Sequence, residues 1–112
     1  MQAEGIAAQL IVSAPGRANV IARLRGAGLA RPLILMSHID VVQADPSDWS
    51  ASPFGGELRD GFIYGRGALD MKGLGILNLM TLLLLKRQQA RLTRDVIFLA
   101  VAGEEHYDVC GT

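Results

Sequence analysis

The sequence predicts an α/β fold, a layered mixed sheet with flanking helices. Two runs, Leu33-Ile34-Leu35-Met36 and Val96-Ile97-Phe98-Leu99-Ala100-Val101-Ala102, are short and apolar throughout, as strands covered on both faces are. A longer segment, residues 71–91, is patterned as a helix. The order strands, hairpin, helix, strand is that of a sheet with a helical layer.

Each element can be justified in turn. Residues 6–12 form a short apolar run closed by the turn cluster Ser13-Ala14-Pro15-Gly16. Residues 19–25 alternate in their second half and stop at Gly26-Ala27-Gly28, which reads as a strand with one wet face. Residues 33–36 follow as a buried strand. Asp60-Gly61 separates Glu57-Leu58-Arg59 from Phe62-Ile63-Tyr64, a strong local signal for a hairpin. The helix over 71–91 has Asp70 as its expected N-cap, and Lys86, Arg87 and Arg91 complement its negative end. Its apolar residues wrap most of its circumference, so it is expected to lie on the sheet with little exposed. Residues 95–102 form the last strand.

The chain has 112 residues, is 50% hydrophobic and has a mean hydropathy of +0.28. It permits one domain with a core and does not have the composition of a disordered chain. Eleven Lys and Arg balance eleven Asp and Glu, so bulk charge gives no reason to expect a nucleic acid or an anionic membrane as partner. A single cysteine, Cys110, excludes an internal disulfide and the multi-cysteine zinc modules, and reads as a small buried residue. The greasiest stretch, residues 73–85, is interrupted by Asn78 and Thr81 and falls short of the ~20 residues that cross a bilayer. The opening residues lack the pattern of a signal peptide, and the expected location is cytoplasmic.

Chemistry-bearing residues gather at strand ends. His38-Ile39-Asp40 follows the strand at 33–36, Glu104-Glu105 follows the last strand after Gly103, and Asp70 sits where Gly65-Arg66-Gly67-Ala68 enters the helix. Open α/β sheets bind ligands at the carboxyl ends of their strands. If the extended backbone continues, the Asp40 carboxylate accepts the second ring N–H of His38 and leaves the other nitrogen for a metal. Each signal also has a plain structural reading: a strand-end pair, a solvated acidic loop, a helix cap. Together they are more telling, because several carboxylates in one pocket repel unless a cation lies between them. A histidine with carboxylates and no thiolate suits zinc, manganese or cobalt.

The run His38-Ile39-Asp40-Val41-Val42, then Trp49, Pro53-Phe54, Asp60-Gly61, Tyr64-Gly65-Arg66-Gly67-Ala68, Asp70-Met71-Lys72-Gly73 and Gly103-Glu104-Glu105 resembles the M20 family of metallopeptidases. That family includes aminoacylases, carboxypeptidases and the acetylornithine and succinyl-diaminopimelate deacylases. The resemblance implies a zinc-peptidase-like catalytic domain that hydrolyses amide bonds of N-acyl amino acids or small peptides. It implies two divalent metal ions, zinc first, with cobalt or manganese as alternatives. His38 would ligate the first metal with Asp40 behind it, Asp70 would bridge both, and Glu105 would ligate the second. Glu104 would be the general base that takes a proton from metal-activated water and returns it to the leaving amine. The family pattern also makes the Asp70–Met71 peptide cis, and full-length relatives are often dimeric.

The same resemblance implies that residues 1–112 are the N-terminal portion of such a catalytic domain, without the lid domain and the later histidine and carboxylate that complete the metal sites. A catalytically inactive fragment, or a binding module that reuses the fold, is therefore the alternative. His106 departs from the family pattern and reads as a surface or hydrogen-bonding histidine. Trp49 and Phe54 read as loop anchors, Arg66 as a loop brace, and Lys86, Arg87, Arg91 and Arg94 as a solvated helix end. The loop with Asp45, Ser47 and Trp49, together with residues 69–73, leans towards carboxypeptidases and aminoacylases.

Overall fold

The computed structural model describes residues 1–105; the expectations for His106 and Cys110 lie outside the described residues. Strands β1 (Ala8–Ala14), β2 (Arg17–Leu24), β3 (Leu33–His38) and β6 (Val96–Val101) form one sheet in the order β1-β2-β6-β3. β1 pairs antiparallel with β2, and β2 antiparallel with β6, while β3 and β6 run parallel. The sheet is therefore mixed, as the sequence predicts.

Local chemistry explains most boundaries. The β1–β2 turn passes through Gly16 at φ 73°, a conformation that costs glycine little. β4 (Glu57–Arg59) and β5 (Phe62–Tyr64) pair around Asp60 and Gly61, both at positive φ as a primed two-residue turn requires. After β2 the chain turns at Gly26, whose N–H donates to Asp95 Oδ1 at 2.7 Å. A Cβ at Gly26 would come within 2.2 Å of the Arg94 carbonyl, so only glycine fits this approach. Asp95 also accepts from Arg23 Nε at 2.6 Å, which ties the end of β2 to the start of β6.

The helix is shorter and barer than its sequence suggests. α1 spans Gly73–Arg87, ending before Arg91, and Asp70 is not its cap: Asp70 and Met71 have non-helical backbone angles. One face rests on the sheet, with Leu82 fully buried among Ile6, Ala22, Val96, Phe98 and Ala100. The other face leaves Leu74, Ile76, Leu77 and Leu84 exposed. Likewise β3 is not covered on both faces, since Leu33, Ile34 and Met36 are exposed. The expectation of a nearly covered helix and a doubly covered strand is thus corrected: among the described residues, one helix covers one side of the sheet. By length and composition alone residues 68–87 would suit a membrane span. The break at Asp70 and Met71 leaves 15 continuous helical residues, roughly 22 Å.

Candidate metal centre

The site is assembled by three segments whose positions follow from the topology. Because β3 and β6 are parallel neighbours, with His38 opposite Val101, their carboxyl ends emerge side by side. His38 is the last residue of β3, and Glu104 and Glu105 lie just beyond β6. Ile39 N–H donates to the Val101 carbonyl at 2.8 Å and carries the pairing one residue further. Asp70 arrives through the turn at Gly67, which sits at φ 79°. A Cβ there would lie 2.4 Å from Val41 Cγ1, so both backbone and packing require glycine. The Gly67 carbonyl then accepts the Lys72 N–H at 2.8 Å, closing the backbone around Asp70.

His38 is 5% exposed. Its Nδ1 lies 3.0 Å from the Asp40 backbone carbonyl, and a carbonyl can only accept, so Nδ1 carries a proton. Nε2 then faces the acids, 3.1 Å from Asp70 Oδ1 and 3.9 Å from Glu104 Oε2. One ligand atom each from His38, Asp70 and Glu105 lie within 4.8 Å of one another. The spacing and the donor set fit a divalent cation. Two ligand atoms held about 2.0–2.2 Å from one tetrahedral ion stand roughly 3.4 Å apart. Asp70 is largely open, its side chain 77% exposed, so the pair is reachable from solvent.

The electrostatics show how tightly the acids surround the ring. Burial pushes the His38 pKa down, but the hydrogen bonds to the Asp40 carbonyl and to Asp70, with the charges of Glu104 and Asp40, raise it above the ordinary 6.5. For Asp40, burial pushes upward, yet the N–H groups of Gly103, Glu105 and Glu104 hold the carboxyl at about 2. A cation at Nε2 would compete with that ring proton.

The structure thus brings His38, Asp70, Glu104 and Glu105 to one place. The contacts of the Asp40 side chain differ from the hydrogen bond expected of it. The Asp40 carboxylate stands 3.8 Å from His38 Nδ1, beyond hydrogen-bond range, and accepts backbone N–H groups of residues 103–105 instead. The reason is that β3 ends at His38, so side chains at 38 and 40 no longer project together. The Asp70–Met71 peptide is cis, as the resemblance implies. Arg66 N–H donates to the Pro53 carbonyl at 2.6 Å, and its guanidinium lies 5.3 Å from the Trp49 ring centroid, a brace between loops. Phe54 is mostly exposed and anchors no core. Arg87 forms an ion pair with Glu4, its Nε 3.0 Å from Oε2, so this part of the helix end is not merely solvated. Sequence gives no signal for Asn19 in β2. Its Oδ1 accepts the Ala102 N–H at 2.8 Å and steadies the exit of β6.

The profile of peptidase family M20/M25/M40 matches residues 34–112. The chain is 50% identical over 62 residues to the N-fatty-acyl-amino acid synthase/hydrolase PM20D1 of Xenopus tropicalis, covering 54% of this chain and 12% of that protein. It is 39% identical over 100 residues to a succinyl-diaminopimelate desuccinylase of Methylorubrum extorquens, covering 88% of this chain and 26% of that one. Its fold is similar to human carnosine dipeptidase 1, with a TM-score of 0.78 at 24% identity over 97% of this chain and 25% of the dipeptidase. It is also similar to Sso-CP2 of Sulfolobus solfataricus, an M20 family metallo-carboxypeptidase, with a TM-score of 0.75 at 32% identity over 89% of this chain and 22% of that chain. The chain thus spans between an eighth and about a quarter of the length of these relatives. With its profile match over more than half of its length, the chain belongs to the M20/M25/M40 peptidase family.

Proposed function

We propose that this chain carries the first part of a metal-dependent hydrolase site acting on amide bonds of N-acyl amino acids or small peptides. The observation that carries the reading is the meeting of His38, Asp70 and Glu105, with the Glu104 carboxylate beside them. His38, Asp70 and Glu105 would hold the divalent cations, two in number and zinc first. Bound there, the metal would supply a Lewis acid that polarises the amide carbonyl and makes water a stronger acid. The protein's own work is positional. The Asp40 carbonyl fixes the His38 tautomer and leaves Nε2 facing the acids. Glu104, half exposed and 3.9 Å from His38 Nε2, is the base that takes a proton from water and later delivers it to the leaving amine.

The relatives' names support an acyl amino acid or peptide as substrate, since one is an acyl-amino acid hydrolase and others are a desuccinylase and a dipeptidase. A second reading is favoured by the share of those relatives that the chain spans: these 112 residues bind metal without turning substrate over. The two are separated by assaying zinc-loaded chain on N-acyl amino acids and dipeptides, with a chelator control. Chelator-reversible hydrolysis supports the first, and stoichiometric metal uptake without hydrolysis supports the second. A chain that neither binds metal nor hydrolyses contradicts both.

A further inference from the structure

We propose that Gly75 and Asn78 are positioning residues: they set α1 against the end of β3 and so hold Asp70 beside His38. Apolar burial, which covers most of the contact between α1 and the sheet, is non-directional. Two directed contacts join the helix to β3, and both fall within two residues of His38. The Asn78 side-chain amide donates to the Met36 carbonyl at 3.2 Å. Three residues earlier, Gly75 meets Ser37, where a Cβ on the glycine would lie 3.0 Å from Ser37 Oγ and 3.4 Å from Ser37 Cβ. Residues 75 and 78 share a helix face with Leu79 and the buried Leu82. Ser37 is 3% exposed, and its Oγ has no hydrogen-bond partner among the described residues. A buried hydroxyl is normally paired. Here it serves to fill the space that Gly75 leaves open.

The placement of the helix reaches Asp70 through a short, closed stretch of backbone. Lys72 N–H donates to the Gly67 carbonyl at 2.8 Å, and Gly73 N–H donates to that of Ala68. Asp70 is thereby tied to the first turn of α1, while His38 follows Met36 and Ser37 directly in β3. A shift of α1 along β3 therefore moves Asp70 away from His38 Nε2, which now lies 3.1 Å from it. The consequence for metal binding rests on the functional reading above, whereas the placement of Asp70 does not.

The test follows two properties of the metal-free chain, the nuclear Overhauser cross-peak between the His38 ring and the Asp70 β protons, and the urea midpoint. Asn78→Leu and Gly75→Ala each put a better helix former into α1, and each is expected to lose the cross-peak. Zinc affinity should fall about 10-fold in both, the lower end for residues that support a ligand. Ser37→Ala removes the oxygen that a methyl at position 75 would meet. Alone it should leave the cross-peak intact, and combined with Gly75→Ala it should restore it. In Asn78→Leu the urea midpoint should stay at or above that of the parent; a midpoint that falls with the cross-peak means a general loosening and overturns the proposal. So does a cross-peak unchanged in either variant, or one that Ser37→Ala does not restore. Should Gly75→Ala fail to fold, Asn78→Leu alone decides. The cross-peak is read without metal, so its failure is distinct from that of the metal reading, which would show as a parent chain that takes up no zinc.

Discussion

His38 Nε2 lies 3.1 Å from Asp70 Oδ1, although 32 residues separate them in sequence. Neither residue could be placed beside the other by periodicity. The contact exists because β3 delivers His38 to the sheet edge while the Gly67 turn bends Asp70 back over it.

That turn should tolerate little change. Gly67→Ala would require a side chain at φ 79° and within 2.4 Å of Val41 Cγ1. The left-handed conformation alone costs about 1–2 kcal/mol, and the overlap adds to it. Urea denaturation should show that loss, and zinc affinity should fall with it as Asp70 moves.

The core gives a sharper contrast. Leu82→Ala removes the largest fully buried side chain and should cost about 2–5 kcal/mol. Leu77→Ala on the open face of the same helix, 64% exposed, should change stability by no more than about 0.5 kcal/mol. Equal losses in denaturant titrations would mean that the outer face of α1 is covered in solution.

Acid should weaken the fold in a defined direction. The Gly26 N–H first, and the Arg23 guanidinium second, hold the Asp95 carboxyl below its ordinary 3.8. A folded pKa below the unfolded one means that the unfolded chain takes up the proton first as pH falls. The contribution is full above about pH 4 and is lost as pH drops through the lowered value. Asp40, held at about 2, adds a second contribution in the same direction. Asp95→Asn should therefore show a shallower loss of stability between about pH 4 and pH 2 than the parent chain. An identical acid limb in both would assign the loss to other groups.

Glu104→Gln separates proton transfer from metal binding. In a preparation that turns over substrate, metal content should hold while kcat falls about 10²–10⁴-fold, the usual range for a general base. An unchanged kcat would remove Glu104 from the reaction.

Much of this was legible in the sequence, for identifiable reasons. The Asp60-Gly61 hairpin and the strands at 33–38 and 96–101 announce themselves through turn chemistry and apolar runs. His38, Asp70, Glu104 and Glu105 stand out because they follow such runs and sit in a long, specific motif. Burial was less legible. An apolar run reports what a surface can bury, not what lies against it, so Leu33, Ile34 and Leu77 read as covered yet are exposed. The roles of Asp40 and Asn19 were hidden for another reason. Both accept backbone N–H groups more than 60 residues away, and any residue supplies such a donor, so no side-chain pattern marks the partner.

The central claim is that His38, Asp70 and Glu105 bind a divalent cation, and a zinc competition titration tests it most directly. His38→Ala and Asp70→Ala should each lower zinc affinity by ~100-fold or more, since losing a ligand costs at least as much as losing a residue that supports one. His106→Ala, which removes the chain's other histidine, should leave affinity close to that of the parent. Unchanged zinc binding in His38→Ala and Asp70→Ala would contradict the account.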